Sequence, residues 1–456
     1  MRQKVLSGLI PKGGRLLIAA LIITGSFMSC KWLFPKKVVQ DKMFDRISWN
    51  VLFKDGISTA SRADAIAAIQ DSLTNYYLIN FPGITPKFDF SLFCICDSSL
   101  YNLNIRFVGG AGESVSSPPP PPPGPNGSGD FLNVLQISQN IPIVEILEED
   151  SIIPTKKEPI DEARQISPIA VLAVIDTGID TTLFKSGIGR LIWRSNGQQR
   201  TLFNFLPGEN IDQFKDDHKQ RHGTGVTALA LQSMQSTTAY PKIMVLKALD
   251  SLKRGTIFSV SCAMSYAIQN RATLINASLG YYGTSDPILR NYFEKTLKLK
   301  ADPIPVFVSA GNVLSTHDQM QYCKNVTTND NELGANNKFF YPACFTREFS
   351  NVTAVTSLNS VLKPCYYQNY STRFVSLGVF NPSMCCQYAA AFMSRTYEGS
   401  SFATPVASGK MIDCMIRNNF VRTAIISDWN NNIIKHVPIG VTRSTVDGRY
   451  IEFKKE

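Results

Sequence analysis

Residues 169–180 read IAVLAVIDTGID. Seven apolar residues run without interruption into Asp176, and a Thr-Gly turn follows. A strand apolar on both faces belongs inside a sheet covered by helices on both sides, and such sheets are parallel. Working outward, the pattern repeats. KIMVLKAL (242–249), TLINASL (273–279) and IPVFVSA (304–310) are further apolar strands. Between them TIFSVSCAMSYAIQN (256–270) and DPILRNYFEKTLKL (286–299) carry apolar residues three and four apart, as helices do. This alternation predicts a doubly wound α/β fold with a mostly parallel sheet over residues 161–425. In such folds functional groups sit at the carboxyl ends of strands.

Three short motifs fall where that rule looks for them. Asp176 ends the first strand. RHGTGVTALAL (221–231) places His222 ahead of Gly-Thr-Gly and an apolar helix start. GSSFATPVASG (399–409) places Ser401 at the start of a small-residue helix, with Pro405 expected in its first turn. Singly each has a plain structural reading: a strand-end acid, a helix-start histidine, an N-cap serine. Jointly they supply a nucleophile, a base to activate it and an acid to orient that base. Their order, Asp then His then Ser, is that of subtilisin.

DTG, HGTG and GSSFATP thus resemble the signature motifs of the subtilisin-like serine peptidases, the subtilases, over about residues 165–420. VFVSAGN, ending at Asn312, resembles the family segment whose Asn side chain donates to the oxyanion. The resemblance implies that Ser278, Leu279 and Gly280 pair with substrate and wall its main side-chain pocket, with Ala310 and Gly311 beside them. Gly280 with Gly311 hints at an open pocket. Tyr341-Pro342-Ala343 also matches a family segment. Ser400 stands where Thr is usual, Phe402 where Met is usual, and Arg221 where Gly is common. The implied reaction is endopeptidase cleavage of protein or peptide substrates. It requires no cofactor. Asp212, Asp216 and Asp217 are weighed as a structural calcium site, as some members have elsewhere, and read as a solvated acidic loop.

The chain has 456 residues, a formal charge of +10, and 18% charged residues. Arg2, Lys4, Lys12 and Arg15 carry four of those charges, and no dense basic block with aromatics follows, which argues against nucleic acid. The basic start precedes the apolar run LLIAALIITGSF (16–27), short for a membrane span and right for an export signal over residues 1–29. Ser29-Cys30 then resembles a bacterial lipoprotein box, although Phe27 stands where Leu is usual. Lipidation of Cys30 would anchor an exported enzyme in the cell envelope.

Residues 43–115 read as a small α/β unit, with WNVLFKDG (49–56) a strand and SRADAIAAIQDSL (61–73) a helix. Residues 116–130 hold six consecutive prolines and a Gly/Ser tail, an extended linker. Residues 131–160 connect to the peptidase domain, and IPIVEILEED (141–150) resembles the end of a subtilase prodomain. The N-terminal segment is therefore expected to be an inhibitor cleaved between about 150 and 165. The rival is a permanent tethering module. Residues 426–456 form an extension with a hairpin turning at Asp447-Gly448.

Ten cysteines in an exported chain suggest disulfides. Cys323 with Cys344, and Cys365 with Cys385 or Cys386, are candidate pairs whose connectivity stays open. Cys262 and Cys414, in apolar helical patterns, read as buried thiols. Cys94-Ile95-Cys96 lacks a second ligand pair for zinc. Two other function classes were weighed. A serine esterase is expected to show G-x-S-x-G, which Ser401 does not have. An inactive binding lipoprotein would leave the motif set without a purpose.

Overall fold

The computed structural model describes residues 46–80, 85–108, 134–144, 150–152, 157–195, 201–234, 239–299, 302–313, 331–365, 367–382, 386–438 and 442–453. The expected signal, Cys30, the proline linker, Cys323 and Cys385 lie outside them.

Near the N-terminus, β1 (Arg46–Phe53), α1 (Thr59–Asn80), β2 (Thr85–Cys94), β3 (Asp97–Val108) and β4 (Val134–Gln139) make a small unit. Its antiparallel sheet has the order β2-β3-β1-β4. The helix outruns the sequence expectation because its apolar stripe continues. Ala65, Ile69, Leu73 and Tyr77, each four apart, are all buried against Trp49, Val51, Phe53 and Leu103. Strand alternation sends Leu52, Cys94 and Leu100 to the opposite face, where they join the core of the main body.

A bridging segment follows. β5 (Pro142–Val144) pairs antiparallel with β9 (Arg254–Thr256), and β6 (Asp150–Ile152) with β17 (Arg395–Tyr397). β16 (Tyr388–Ala390) completes that second small sheet, while β11 (Tyr281–Tyr282) pairs with β13 (Phe340–Tyr341).

The main sheet contains β7 (Gln165–Asp176), β8 (Ala239–Lys247), β10 (Leu274–Ala277), β12 (Val306–Ser309), β14 (Val352–Leu358), β15 (Leu377–Phe380), β18 (Lys435–His436) and β19 (Arg449–Glu452). Its order is β18-β19-β15-β14-β12-β10-β7-β8, parallel except for the β18 edge. From β7 the chain steps to β8 on one side, and β10 lies on the other. This is the reversal at which doubly wound sheets open a crevice. Asp176 is the last residue of β7.

Two cores flank the sheet. Helices α2 (His222–Gln232) and α5 (Ser400–Arg417) cover one face, and α3 (Ile257–Gln269) and α4 (Pro287–Leu297) the other. Helix α3 opens with a capping box on Thr256 and Ser259, and Asp286 caps α4 ahead of Pro287.

Two expectations are corrected, and one pairing left open is resolved. Cys262 is not a thiol: it is bonded to Cys94 across 168 residues, because the end of β2 lies over α3. Cys365 pairs with Cys386, while Cys344 and Cys414 are free among the described residues. The C-terminal hairpin forms only in part. Trp429–Ile433 is helical, and β19 joins the main sheet beside β15.

Candidate active site

Asp176 and His222 are both buried, at 1% and 0% exposure, and Asp176 Oδ1 lies 2.7 Å from His222 Nδ1. Ser401 lies in the first turn of α5, where backbone N–H groups have no helical acceptors and their dipoles favour negative charge. The helices carrying His222 and Ser401 are drawn together by small residues. Gly409 of α5 meets the backbone of Ala230 in α2 so closely that a Cβ would strike its carbonyl oxygen. Phe402, next to Ser401, packs on the His222 ring at 4.8 Å and stacks on Tyr397 at 4.4 Å. The imidazole is thus bounded by aromatic surface on the side of Ser401.

Pro405 sits in the second turn of α5 rather than the first. Having no N–H, it cannot bond the Ser401 carbonyl four residues back. Ser278 supplies that bond: its hydroxyl donates to the Ser401 oxygen at 2.8 Å. Ser278 accepts in turn from Asn276 Nδ2 at 3.0 Å, and Ser408 donates to Asn276 Oδ1 at 3.0 Å. The start of α5 is therefore pinned to the end of β10. Asn312 follows β12, and its side-chain oxygen accepts from Ser400 N and Ser400 Oγ, both at 3.1 Å. That holds the amide plane of Asn312 beside Ser400, the neighbour of Ser401.

Ser278, Leu279 and Gly280 link β10 to β11, and Ala310 and Gly311 precede Asn312. The two glycines do not leave an open pocket. The Phe340 ring lies against both: a Cβ on Gly311 would come within 2.7 Å of it, and one on Gly280 would collide with it. Tyr282 packs on the same ring at 5.0 Å and donates to the Asn312 carbonyl at 2.9 Å.

Behind Asp176 lies a second acid. Asp216 is fully buried, not part of a solvated loop. Its Oδ1 accepts from Thr177 Oγ1 (2.9 Å) and His218 N (3.2 Å). Its Oδ2 accepts from Thr224 N (2.9 Å) and Thr224 Oγ1 (2.7 Å). Burial pushes its pKa above the ordinary carboxylate value, against the pull of these donors. Thr177 N also donates to Asp176 at 2.7 Å, and Thr177 Oγ1 accepts from Gly223 N at 2.9 Å. Asp216 thus ties the DTG turn to the HGTG helix. Lys247, buried at the end of β8, donates to the Thr177 carbonyl (2.8 Å) and to Asp217 (2.7 Å). Asp217, though partly desolvated, is held below the usual carboxylate range by that ammonium.

Sequence reading missed the roles of Asp216, Lys247, Ser400 and Phe340. Asp216 was noticed but read as solvated, Ser400 was noticed only as standing where Thr is usual, and Lys247 and Phe340 carried no signal.

An Asp–His pair at a sheet's reversal, with a helix-start serine packed beside it, is the layout of a serine hydrolase. The chain belongs to the subtilase family of serine-type peptidases, which it matches over residues 169–432, well over half its length. Among individual relatives, subtilisin-like protease 1 of Plasmodium vivax is 26% identical over 258 residues. That match takes in 53% of this chain and spans 38% of the length of that relative. Two solved structures of the epidermin leader peptide processing serine protease (EpiP) of Staphylococcus aureus, one a single-substitution variant, are similar in fold. Their TM-scores are 0.54 and 0.55 at 13% and 12% identity, over 89% of this chain and 96% and 97% of theirs.

Proposed function

We propose that the chain is an exported serine endopeptidase in which Ser401 is the nucleophile, His222 the general base and Asp176 its orienting acid. The observation that carries this reading is the buried 2.7 Å contact of Asp176 with His222, with Phe402 packing Ser401's helix onto the same imidazole. Ser401 Oγ attacks the scissile carbonyl while His222 takes its proton. Asp176 accepts from Nδ1–H, fixes the tautomer and stabilises the imidazolium. The Asn312 amide and the Ser401 N–H donate to the oxyanion. His222 then protonates the leaving amine, and water releases the acyl group. Ser278, Leu279, Gly280, Ala310 and Gly311 border the substrate.

In this reading Cys30 carries lipid and holds the enzyme in a bacterial envelope, and the N-terminal unit is an inhibitory prodomain. The strand pairings of the connecting segment support the latter. β5 lies on β9 at the start of α3, and β6 lies on β17, which ends two residues before Gly399. Both of these strands of the connecting segment therefore lie on the peptidase body, the second beside the strand that leads into the helix of Ser401.

The test is labelling with a fluorophosphonate probe. Wild type should label, and Ser401→Ala should not. An unlabelled, correctly processed wild type would overturn the assignment. N-terminal sequencing of wild type beside Ser401→Ala tests self-processing, since a new terminus that persists in the variant would exclude it. A fatty-acid analogue incorporated equally by Cys30→Ala would exclude the anchor.

A further inference from the structure

Three sulfurs from distant parts of the chain meet where the N-terminal unit touches the peptidase body. Cys94 ends β2, Cys96 lies in the tight turn to β3, and Cys262 is on α3. Cys94 and Cys262 are bonded. Cys96 Sγ stands 3.1 Å from Cys94 Sγ and 3.6 Å from Cys262 Sγ. A thiol that needed only burial would have no reason to lie against both sulfurs of one disulfide. Thiol–disulfide exchange needs a thiol within reach of a disulfide sulfur, and Cys96 is within reach of both. Since its two separations are nearly equal, it lies beside the bond rather than in line with it, and its side chain must swing for attack.

We propose that these residues form an internal exchange site: Cys94–Cys262 keeps the N-terminal unit covalently attached to the peptidase body after the intervening chain is cut, and Cys96 is the nucleophile that releases it. The Cys96 thiolate attacks Cys94 Sγ, its nearer neighbour. A Cys94–Cys96 bond forms as Cys94–Cys262 breaks, and the electron pair leaves on Cys262 Sγ, which takes up a proton. The number of disulfides is unchanged, so no external oxidant or reductant enters. The new bond closes within one turn of the N-terminal unit, and the only disulfide that joins the two bodies among the described residues is gone.

The surroundings hold this exchange back. The groups facing Cys96 are Asp97 on its own hairpin, Tyr266 on α3 and Tyr292 on α4, with Lys295 of α4 paired to Asp97. Burial, with Asp97 adding to it, pushes the Cys96 thiol up to about 12. The nucleophile is therefore scarce while the unit is docked. Any loosening that admits water at the hairpin raises the thiolate population and favours release.

The biological use rests on the prodomain reading above, so the test is made independent of self-processing. A site-specific protease's recognition sequence is placed within residues 116–130 of the full chain carrying Ser401→Ala, and the folded protein is cut there. On a denaturing gel without reductant the fragments should stay linked, and reductant should separate them. Incubated without reductant, the cut protein should lose its link about tenfold faster at pH ~9 than at pH ~8, following the thiolate fraction. The freed N-terminal fragment should be lighter by two hydrogens than its dithiol form, and Cys262 should become alkylatable. Cys96→Ser should stay linked throughout. Fragments that separate at once, equal release in Cys96→Ser, a product linked through Cys96–Cys262, or stoichiometric zinc on three thiols would each overturn the proposal. Because wild-type mass mapping reads the exchange directly, a misfolded Cys96→Ser would not rescue it.

Discussion

Replacing Asp216 by Asn tests whether the second buried acid holds the site together. The carboxylate accepts from four donors, two on each oxygen. An amide keeps one oxygen and places an NH2 group where the other was. The Thr177 and Thr224 hydroxyls can rotate and accept from it. The His218 and Thr224 backbone N–H groups cannot. Whichever way the amide is turned, one of those two N–H groups loses its acceptor. An orphaned buried donor costs about 1–3 kcal/mol, and that is the expected loss of stability. Asp216→Ala orphans both and leaves a small void, costing about 3–5 kcal/mol. Both should be measured by urea unfolding in Ser401→Ala protein, so that self-digestion cannot intervene. Since Thr177 bonds both Asp216 and Asp176, the Asn variant of the active enzyme should lose about 10–100-fold in kcat/KM through misplacement of the Asp–His pair. An Asn variant with an unchanged unfolding midpoint would refute the reasoning, because Asp216 could then not be the acceptor those N–H groups depend on.

Four further outcomes are expected. Asn312→Ala should lower kcat with little change in KM; the loss measured for such a donor in subtilisin itself is about 10²–10³. Phe340→Ala should open the space against Gly280 and Gly311, raising kcat/KM for peptides with a large residue before the cut by about 10-fold or more relative to alanine. It should also cost about 3–5 kcal/mol of stability, as loss of a buried ring does, and an unchanged preference in a peptide library would show that the ring does not floor the pocket. Ser278→Ala leaves the Ser401 carbonyl without its donor and should cost about 1–3 kcal/mol, read as a lower melting temperature. Asp97 is partly desolvated, but hydrogen bonds from Ser99 and Tyr292 and the charge of Lys295 outweigh this and hold its pKa below the ordinary 3.8. Its contribution to stability is therefore present above 3.8 and lost as pH falls through the depressed value. Asp97→Asn should flatten that acid limb of the stability–pH curve.

How much of this was legible in the sequence follows from how local each cause is. Residues 169–176 announce a doubly covered parallel strand because burial on both faces leaves no polar position. Asp176, His222 and Ser401 were singled out because three short motifs, one at a strand end and two at helix starts, fall in the order such a site needs. Phe340 was not, because what it fills depends on β13 crossing to β11, far away in sequence. Asp216 looked like one of three acids before a histidine, and only the fold shows its four donors. The Cys94–Cys262 bond joins segments 168 residues apart, and no spacing rule reaches that far. β19 looked like half of a hairpin because Asp447-Gly448 is a strong local turn, whereas its pairing with β15 is non-local.

Arg221 shows how one departure from the family pattern is accommodated. It precedes His222 with φ 57° and ψ 53°, in the left-handed region, where glycine is at ease and a Cβ is not. The family's usual glycine is what that backbone favours. Arginine costs about 1–2 kcal/mol there. Two contacts offset this: Nε lies 3.2 Å from Asp180 Oδ2, and one terminal nitrogen donates to the His218 carbonyl at 2.8 Å. The pair is partly exposed, so together they contribute about 1 kcal/mol. Arg221→Gly exchanges one for the other and should leave stability within about 1 kcal/mol of wild type. Arg221→Ala loses the same contacts but keeps the Cβ, so it should be less stable than the Gly variant by about 1 kcal/mol, despite glycine's greater freedom when unfolded. Comparing the two variants cancels the lost ion pair and isolates the backbone. If alanine proved as stable as glycine, the left-handed turn would not be what this position demands. The approach of His222 to Asp176 would then have to be set by α2 alone.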